Sequence, residues 1–278
     1  MDVWDDLRRR LALSSGLGDH VPSTDDYGLD AEALLRARPL LDFLYDRWWR
    51  VEVVDAARIP DAPRLLFVSN RSGILPYDGL MIAHAVERES PARQRPRFLV
   101  ADWLVTLPFS QPLLARLGGV RACQENAERL LAAGESIIAF PEGQKGALKL
   151  FRDRYRLARF GRGGFVSLAV RRHAVIVPVA VIGAEETHPV LFRSSLVERL
   201  LRLPLPVTPT FPHLGPLGLI PLPSRWRIRF GEPVRFDDVP EERADDPLYV
   251  NRAREQIRGT IRTLVEEEVS RRPGIFRS

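Results

Sequence analysis

The chain has 278 residues, 45% of them hydrophobic and 28% charged, and a formal net charge of +5. That balance excludes a wholly disordered chain and leaves room for one large domain, or two small ones, around a sizeable core. The basic excess suits an anionic partner, whether a phosphate compound, a lipid surface or a nucleic acid. A single cysteine, Cys123, excludes an internal disulfide and points to a reducing, cytoplasmic setting.

The first residues, Met1 to Asp6, are acidic and carry no apolar signal region. Residues 1–50 are expected to form a helical arm. Within it, Asp30 caps a helix that runs to about Trp49, with Leu34, Leu35, Leu40, Leu41, Phe43 and Leu44 on its apolar side. The tryptophans Trp48 and Trp49 lie between Arg47 and Arg50. Such a pair suits a membrane interface or a packed corner equally well.

Strands are expected at Val51 to Val54, Leu65 to Ser69, Phe98 to Ala101, Ser136 to Phe140, Val175 to Ile182 and Trp226 to Phe230. Helices are expected from Asp78 to Glu89, Gln124 to Ala133, Gly164 to Arg172 and Tyr249 to Val269. This alternation implies an α/β fold with a mixed, mostly parallel sheet flanked by helices. Residues 51–240 would hold the α/β domain, and residues 241–278 an amphipathic helix packed on it.

The uncharged stretch from Leu203 to Ser224 contains seven prolines. It cannot form a regular spanning helix, so any membrane contact should be peripheral. It would line an apolar channel, dip into an interface or cover the domain's own core.

Three segments at strand ends carry the chemistry. Asn70-Arg71-Ser72-Gly73 and Asp78 sit between a buried strand and a helix, where ligand sites collect in open α/β sheets. Gly118-Gly119 followed by Arg121 offers backbone N–H groups and a guanidinium suited to a phosphate monoester. Phe140-Pro141-Glu142-Gly143 is followed by Lys145 and Lys149, which can meet phosphate. From Lys145 to Arg172 the chain is dominated by cations, with Asp153 the only acid. That run suits an anionic lipid headgroup surface or the phosphates of coenzyme A. Tyr155 and Phe160 within it would also suit RNA stacking, but no nucleic-acid motif accompanies them.

On these segments the chain resembles the glycerolipid acyltransferase family, over roughly Trp49 to Val234. Asn70 to Asp78 is similar to the family's first block, Asn-His-x4-Asp, and Gly118 to Arg121 to its second. Phe140 to Gly143 matches the third, and Val177 to Ala180 is similar to the fourth. The resemblance implies transfer of a fatty acyl group from acyl-CoA or an acyl carrier protein to a hydroxyl of a lysophospholipid or glycerol-phosphate acceptor. No bound cofactor or metal is implied. The protein would work in the cytoplasm, peripherally on the inner face of an anionic membrane, with no nucleic-acid partner. Arg71, Asp78 and Glu142 fall at the reaction centre. Asn70, Ser72, Gly73, Gly118, Gly119, Arg121, Phe140, Pro141, Gly143, Lys145 and Lys149 fall at the substrate.

Two departures from the family's pattern stand out. Arg71 occupies the histidine's place, and a guanidinium, always protonated, is no ordinary general base. Six residues rather than four separate it from Asp78. An Arg71–Asp78 ion pair would hold the carboxyl ionised and below its usual range.

Several readings stay open on sequence grounds. Glu142 or a histidine outside the motif, such as His84 or His188, supplies the base. The acceptor needs no base. Or the protein binds a lipid or acyl thioester without turnover. Cys123 as an acyl-carrying nucleophile competes with a packed thiol.

Overall fold

The computed structural model describes residues 24–272, except 74, 92, 106–109, 193–207, 211, 212, 214, 216, 217 and 219. The expectations for the first 23 residues, and much of the proline-rich run, lie outside the described residues.

Seven strands form one sheet in the order β1-β7-β6-β2-β5-β3-β4. They are β1 Glu52–Val54, β2 Leu65–Ser69, β3 Arg97–Val100, β4 Gly119–Arg121, β5 Ile137–Ala139, β6 Val175–Ile182 and β7 Arg227–Phe230. All neighbours pair in parallel except β6 and β7. The helices are α1 Ala31–Phe43, α2 Tyr77–Glu89, α3 Asp102–Val105, α4 Ser110–Arg116, α5 Gln124–Ala132, α6 Gly143–Ala147, α7 Gly164–Arg172 and α8 Pro247–Ser270.

Side chains alternate across β2, so its two faces feed two cores. Leu65 and Phe67 join Met81 of α2, Phe98 and Trp226 on one side. Leu66 and Val68 join Leu131 of α5, Ala169 of α7 and Ile261 of α8 on the other. β2 and β6 are buried along their whole length, which is why both read as continuous apolar runs rather than alternating ones.

Asp30 caps α1 by accepting from the N–H groups of Glu32 and Ala33. Asp30→Ala is expected to cost about 1 kcal/mol, measurable as a lower denaturant midpoint. A π-turn, Leu44–Trp48, follows and delivers Trp49 into the core. There Trp49 is fully buried and stacks on Trp226 at 4.6 Å. Trp49 is thus a packed corner, whereas Trp48 stays part-exposed and donates its indole N–H to Pro221 O.

The paired glycines differ from expectation. Gly118 has φ +96° and donates its N–H to Ala115 O. Gly119 is a residue of β4, where a Cβ would come within 2.9 Å of Leu114 O and the Phe98 ring. Both glycines are buried, so they serve a turn and a close packing contact rather than an open phosphate loop.

Candidate active site

β2 and β6 are parallel neighbours, with Ser69 opposite Val179. The loops that leave their carboxyl ends therefore meet. Asn70 ties them together. Its side-chain amide donates to Val181 O at 2.9 Å and accepts from Val181 N–H at 2.8 Å. Asn70 is fully buried, which corrects its expected place at the substrate: it sets the loop's exit.

Arg71 and Asp78 form an ion pair at 3.1 Å, their side chains 5% and 1% exposed. Asp78 Oδ2 also accepts from Ser72 N–H at 3.1 Å, and Oδ1 from its neighbour Gly79 N–H. The Arg71 guanidinium lies 4.7 Å over the Phe140 ring, a cation–π contact. Burial pushes the Asp78 carboxyl above its ordinary range, against the opposing pull of Arg71 and the backbone N–H groups. The expected downward shift is therefore corrected: desolvation outweighs the guanidinium.

Glu142 has a side chain with no exposure. One carboxylate oxygen accepts from Arg71 N–H at 2.8 Å, the other from Ala158 N–H at 2.6 Å. Lys149 Nζ stands 3.5 Å from the second oxygen. A carboxylate so enclosed cannot meet an acceptor, so its expected place at the reacting atoms is corrected to that of an internal brace. Gly146 lets the brace fit: a Cβ there would lie 2.6 Å from Glu142 Cβ and 2.8 Å from Arg71 Cβ.

Lys149 is likewise internal, bound to Glu185 at 2.7 Å and to Arg156 O at 3.2 Å. Burial alone would pull its ammonium down, but Glu185 and Glu142 outweigh that and hold it above the ordinary value. Glu185 also accepts from Tyr155 N–H, and Glu186 from Tyr155 and Arg272. This buried chain of charge has no signature in residue spacing. Phe160 belongs to the core and Tyr155 to this network, so neither offers an open stacking face.

A cavity of ≈310 Å³ opens beside the pair. It lies between the sheet and helices α5 and α7. Leu66, Leu99, Ile137, Ala127 and Leu168 form much of its wall. Arg71, Phe140, Pro141 and Gly143 line it where those strands end, and Cys123 stands half-buried in its side. Lys145 is exposed and lines a separate, open groove with Phe192.

Arg121 is not brought to this centre. It is exposed on the edge strand β4, pairs with Asp102 at 2.9 Å and lines another groove with Tyr27 and Gln111. Ser72 and Gly73 instead line two small cavities that His188 shares. His84, the other histidine singled out, bonds Asp42 of α1 at 2.9 Å and lines none of these cavities.

An acyltransferase family model matches residues 50–182. An uncharacterized protein of Mycobacterium tuberculosis is 46% identical over 274 residues, covering 97% of this chain and 74% of the relative. One of Mycobacterium leprae is 44% identical, covering 97% and 72%. The crystal structure of the 1-acyl-sn-glycerophosphate acyltransferase PlsC from Thermotoga maritima shares the fold, with TM-score 0.55 and 18% identity over 87% of this chain and 82% of that one. The chain carries an acyltransferase-family domain over residues 50–182.

Proposed function

We propose that the protein moves a fatty acyl group from an acyl thioester to the hydroxyl of a lysophospholipid or glycerol-phosphate acceptor. The observation that carries this reading is the apolar cavity of ≈310 Å³ that meets Arg71 and Phe140. Its volume falls in the range of ligand sites. An alkyl chain buried there gains about 0.8 kcal/mol per methylene, and the thioester end comes to rest beside the buried cation. A fixed guanidinium in a dry site stabilises charge as it develops on the carbonyl oxygen. Exposed Lys145 stands in the next groove, available to an acceptor phosphate. The acyltransferase family model and the likeness to a lysophosphatidic acid acyltransferase fold support the same reading.

In this reading the enzyme works peripherally on a membrane. Among the described residues no helix is long and apolar enough to cross one. α1 presents Leu35, Leu40 and Phe43 outward, and Arg152 and Arg156 are exposed beside the site. These groups suit an anionic lipid surface. No tightly bound cofactor enters the reaction; acyl-CoA or acyl carrier protein is the co-substrate.

The test is chain-length selectivity. Leu168→Trp fills part of the cavity and is expected to weaken long-chain acyl-CoA binding about tenfold, while short-chain binding holds. That loss corresponds to about 1.4 kcal/mol, or two methylenes. Calorimetric titration with a chain-length series reads it. Equal loss at every length would place the acyl chain elsewhere.

A further inference from the structure

We propose that His188 is the general base of the acyl-transfer step, standing in space where the chain lacks a histidine at position 71. The inference rests on the acyl-transfer reading above and adds to it the group that takes the proton.

The fold brings the residues together. Because β2 and β6 run parallel side by side, the turn carrying Ser72 and the turn carrying His188 leave the same edge of the sheet. Two cavities of ≈10 Å³ each lie between them. Each has room for about one water-sized group, such as a single hydroxyl. Ser72, Gly73 and His188 line both. Asp78 and Tyr77 line one, and Lys149 and Glu185 the other. His188 and Asp78 thus line one cavity, although one comes from the turn after β6 and the other from the first turn of α2.

The Ser72 hydroxyl has no hydrogen-bond partner, yet the residue is only 5% exposed. Leaving a buried hydroxyl unpaired is costly. A substrate hydroxyl or water in the cavity would satisfy it.

The imidazole is held in place for the task. Its ring stacks parallel on Tyr77 at 5.9 Å. Thr187 Oγ1 gives its one proton to Ala184 O at 2.8 Å and stands 3.4 Å from His188 Nδ1. Whichever ring nitrogen carries the proton, the neutral imidazole keeps a lone pair on the other. The loop itself is fixed. Gly183 turns it at φ +93°, where a Cβ would meet Arg225 O at 2.2 Å. Glu185 is anchored on Lys149 and Glu186 on Arg272. The charged groups that share the cavities with the ring are Asp78 of α2, Lys149 after α6 and Glu185 of its own loop.

In the step, His188 takes the proton of the acceptor hydroxyl as its oxygen bonds to the thioester carbonyl carbon. The tetrahedral oxyanion collapses, the C–S bond breaks, and the imidazolium returns the proton to the departing thiolate. Ester and free thiol result.

The experiment is steady-state acyl transfer from palmitoyl-CoA to lysophosphatidic acid by the wild-type protein, His188→Asn and His188→Gly. His188→Asn is expected to lower kcat by about 10²–10⁴ with palmitoyl-CoA binding unchanged, and added imidazole to restore turnover in His188→Gly. The wild-type pH profile of kcat/KM is expected to show an acid limb that is absent in His188→Asn. A purely structural role would give neither rescue nor loss of the limb. His188→Asn with wild-type kcat and an unchanged limb overturns the proposal alone. No turnover by the wild-type protein overturns the acyl-transfer reading with it. Should the variants not fold, a wild-type profile without that limb overturns it, and Ser72→Ala, which keeps the imidazole, is expected to raise KM for the acceptor while the limb persists.

Discussion

Replacing Arg71 by alanine is expected to destabilise the protein by about 3–5 kcal/mol, because it leaves a buried carboxylate without its counter-charge. Asp78 is 1% exposed on its side chain and holds Arg71 at 3.1 Å. The remaining donors are the N–H groups of Ser72 and Gly79. The loss should depend on pH with a definite sign. Burial already raises the Asp78 carboxyl above its ordinary value in the folded state, and removing the guanidinium raises it further. The folded variant then binds a proton that the unfolded chain, titrating near 3.9, has released. Stability is therefore penalised above the folded carboxyl's titration and recovers as pH falls through it. Urea unfolding of Arg71→Ala and wild type between pH 5 and 8 reads this: the gap narrows on the acid side. Arg71→Asp-type charge reversal is unnecessary to see it; adding Asp78→Asn to Arg71→Ala should recover part of the loss at neutral pH. A gap of constant size would mean that Asp78 does not carry the strain. Arg71→His is expected to lower acyl transfer rather than raise it, since it puts no base into the cavities near Ser72 while weakening the guanidinium's pairing.

Glu142→Ala is the second large effect, a loss of about 3 kcal/mol from two charge-assisted bonds at roughly 1.5 kcal/mol or more each. The bonds lost are those from Arg71 N–H and Ala158 N–H. Lys149 would keep Glu185, which limits the damage. Glu142→Gln retains one carbonyl acceptor and should cost about half as much. The two roles open to Glu142 separate cleanly here. A brace loses stability and activity together, and Glu142→Gln keeps substantial turnover below its melting point. A base would lose turnover in Glu142→Gln with its melting point unchanged, and that result would return Glu142 to the reacting atoms.

Much of the fold was legible in residue pattern. β2 and β6 are buried at every position because both faces are covered, and α7 runs over the expected residues, Gly164–Arg172. β4 was hidden because it is three residues long and begins at a glycine. Its glycines resembled a phosphate loop, yet their cause is the Phe98 ring and Leu114 carbonyl packed against them. The site was legible as residue types but not as roles. Glu142 and Lys149 were named, but their enclosure depends on Ala158 and Glu185, which no spacing rule connects to them. His188 lies 110 residues or more beyond the Asn70–Asp78 segment, outside the segment matched by the family model. Only the parallel pairing of β2 with β6 places it beside Ser72.

The most direct measurement is mass-spectrometric detection of acyl transfer by the purified protein, given acyl-CoA or acyl carrier protein thioesters and pooled lyso-lipids. The account predicts a diacylated product that appears with wild type and falls to background in His188→Asn. A folded protein that binds the thioester yet acylates no lyso-lipid from either donor would contradict it and leave a binding protein in its place.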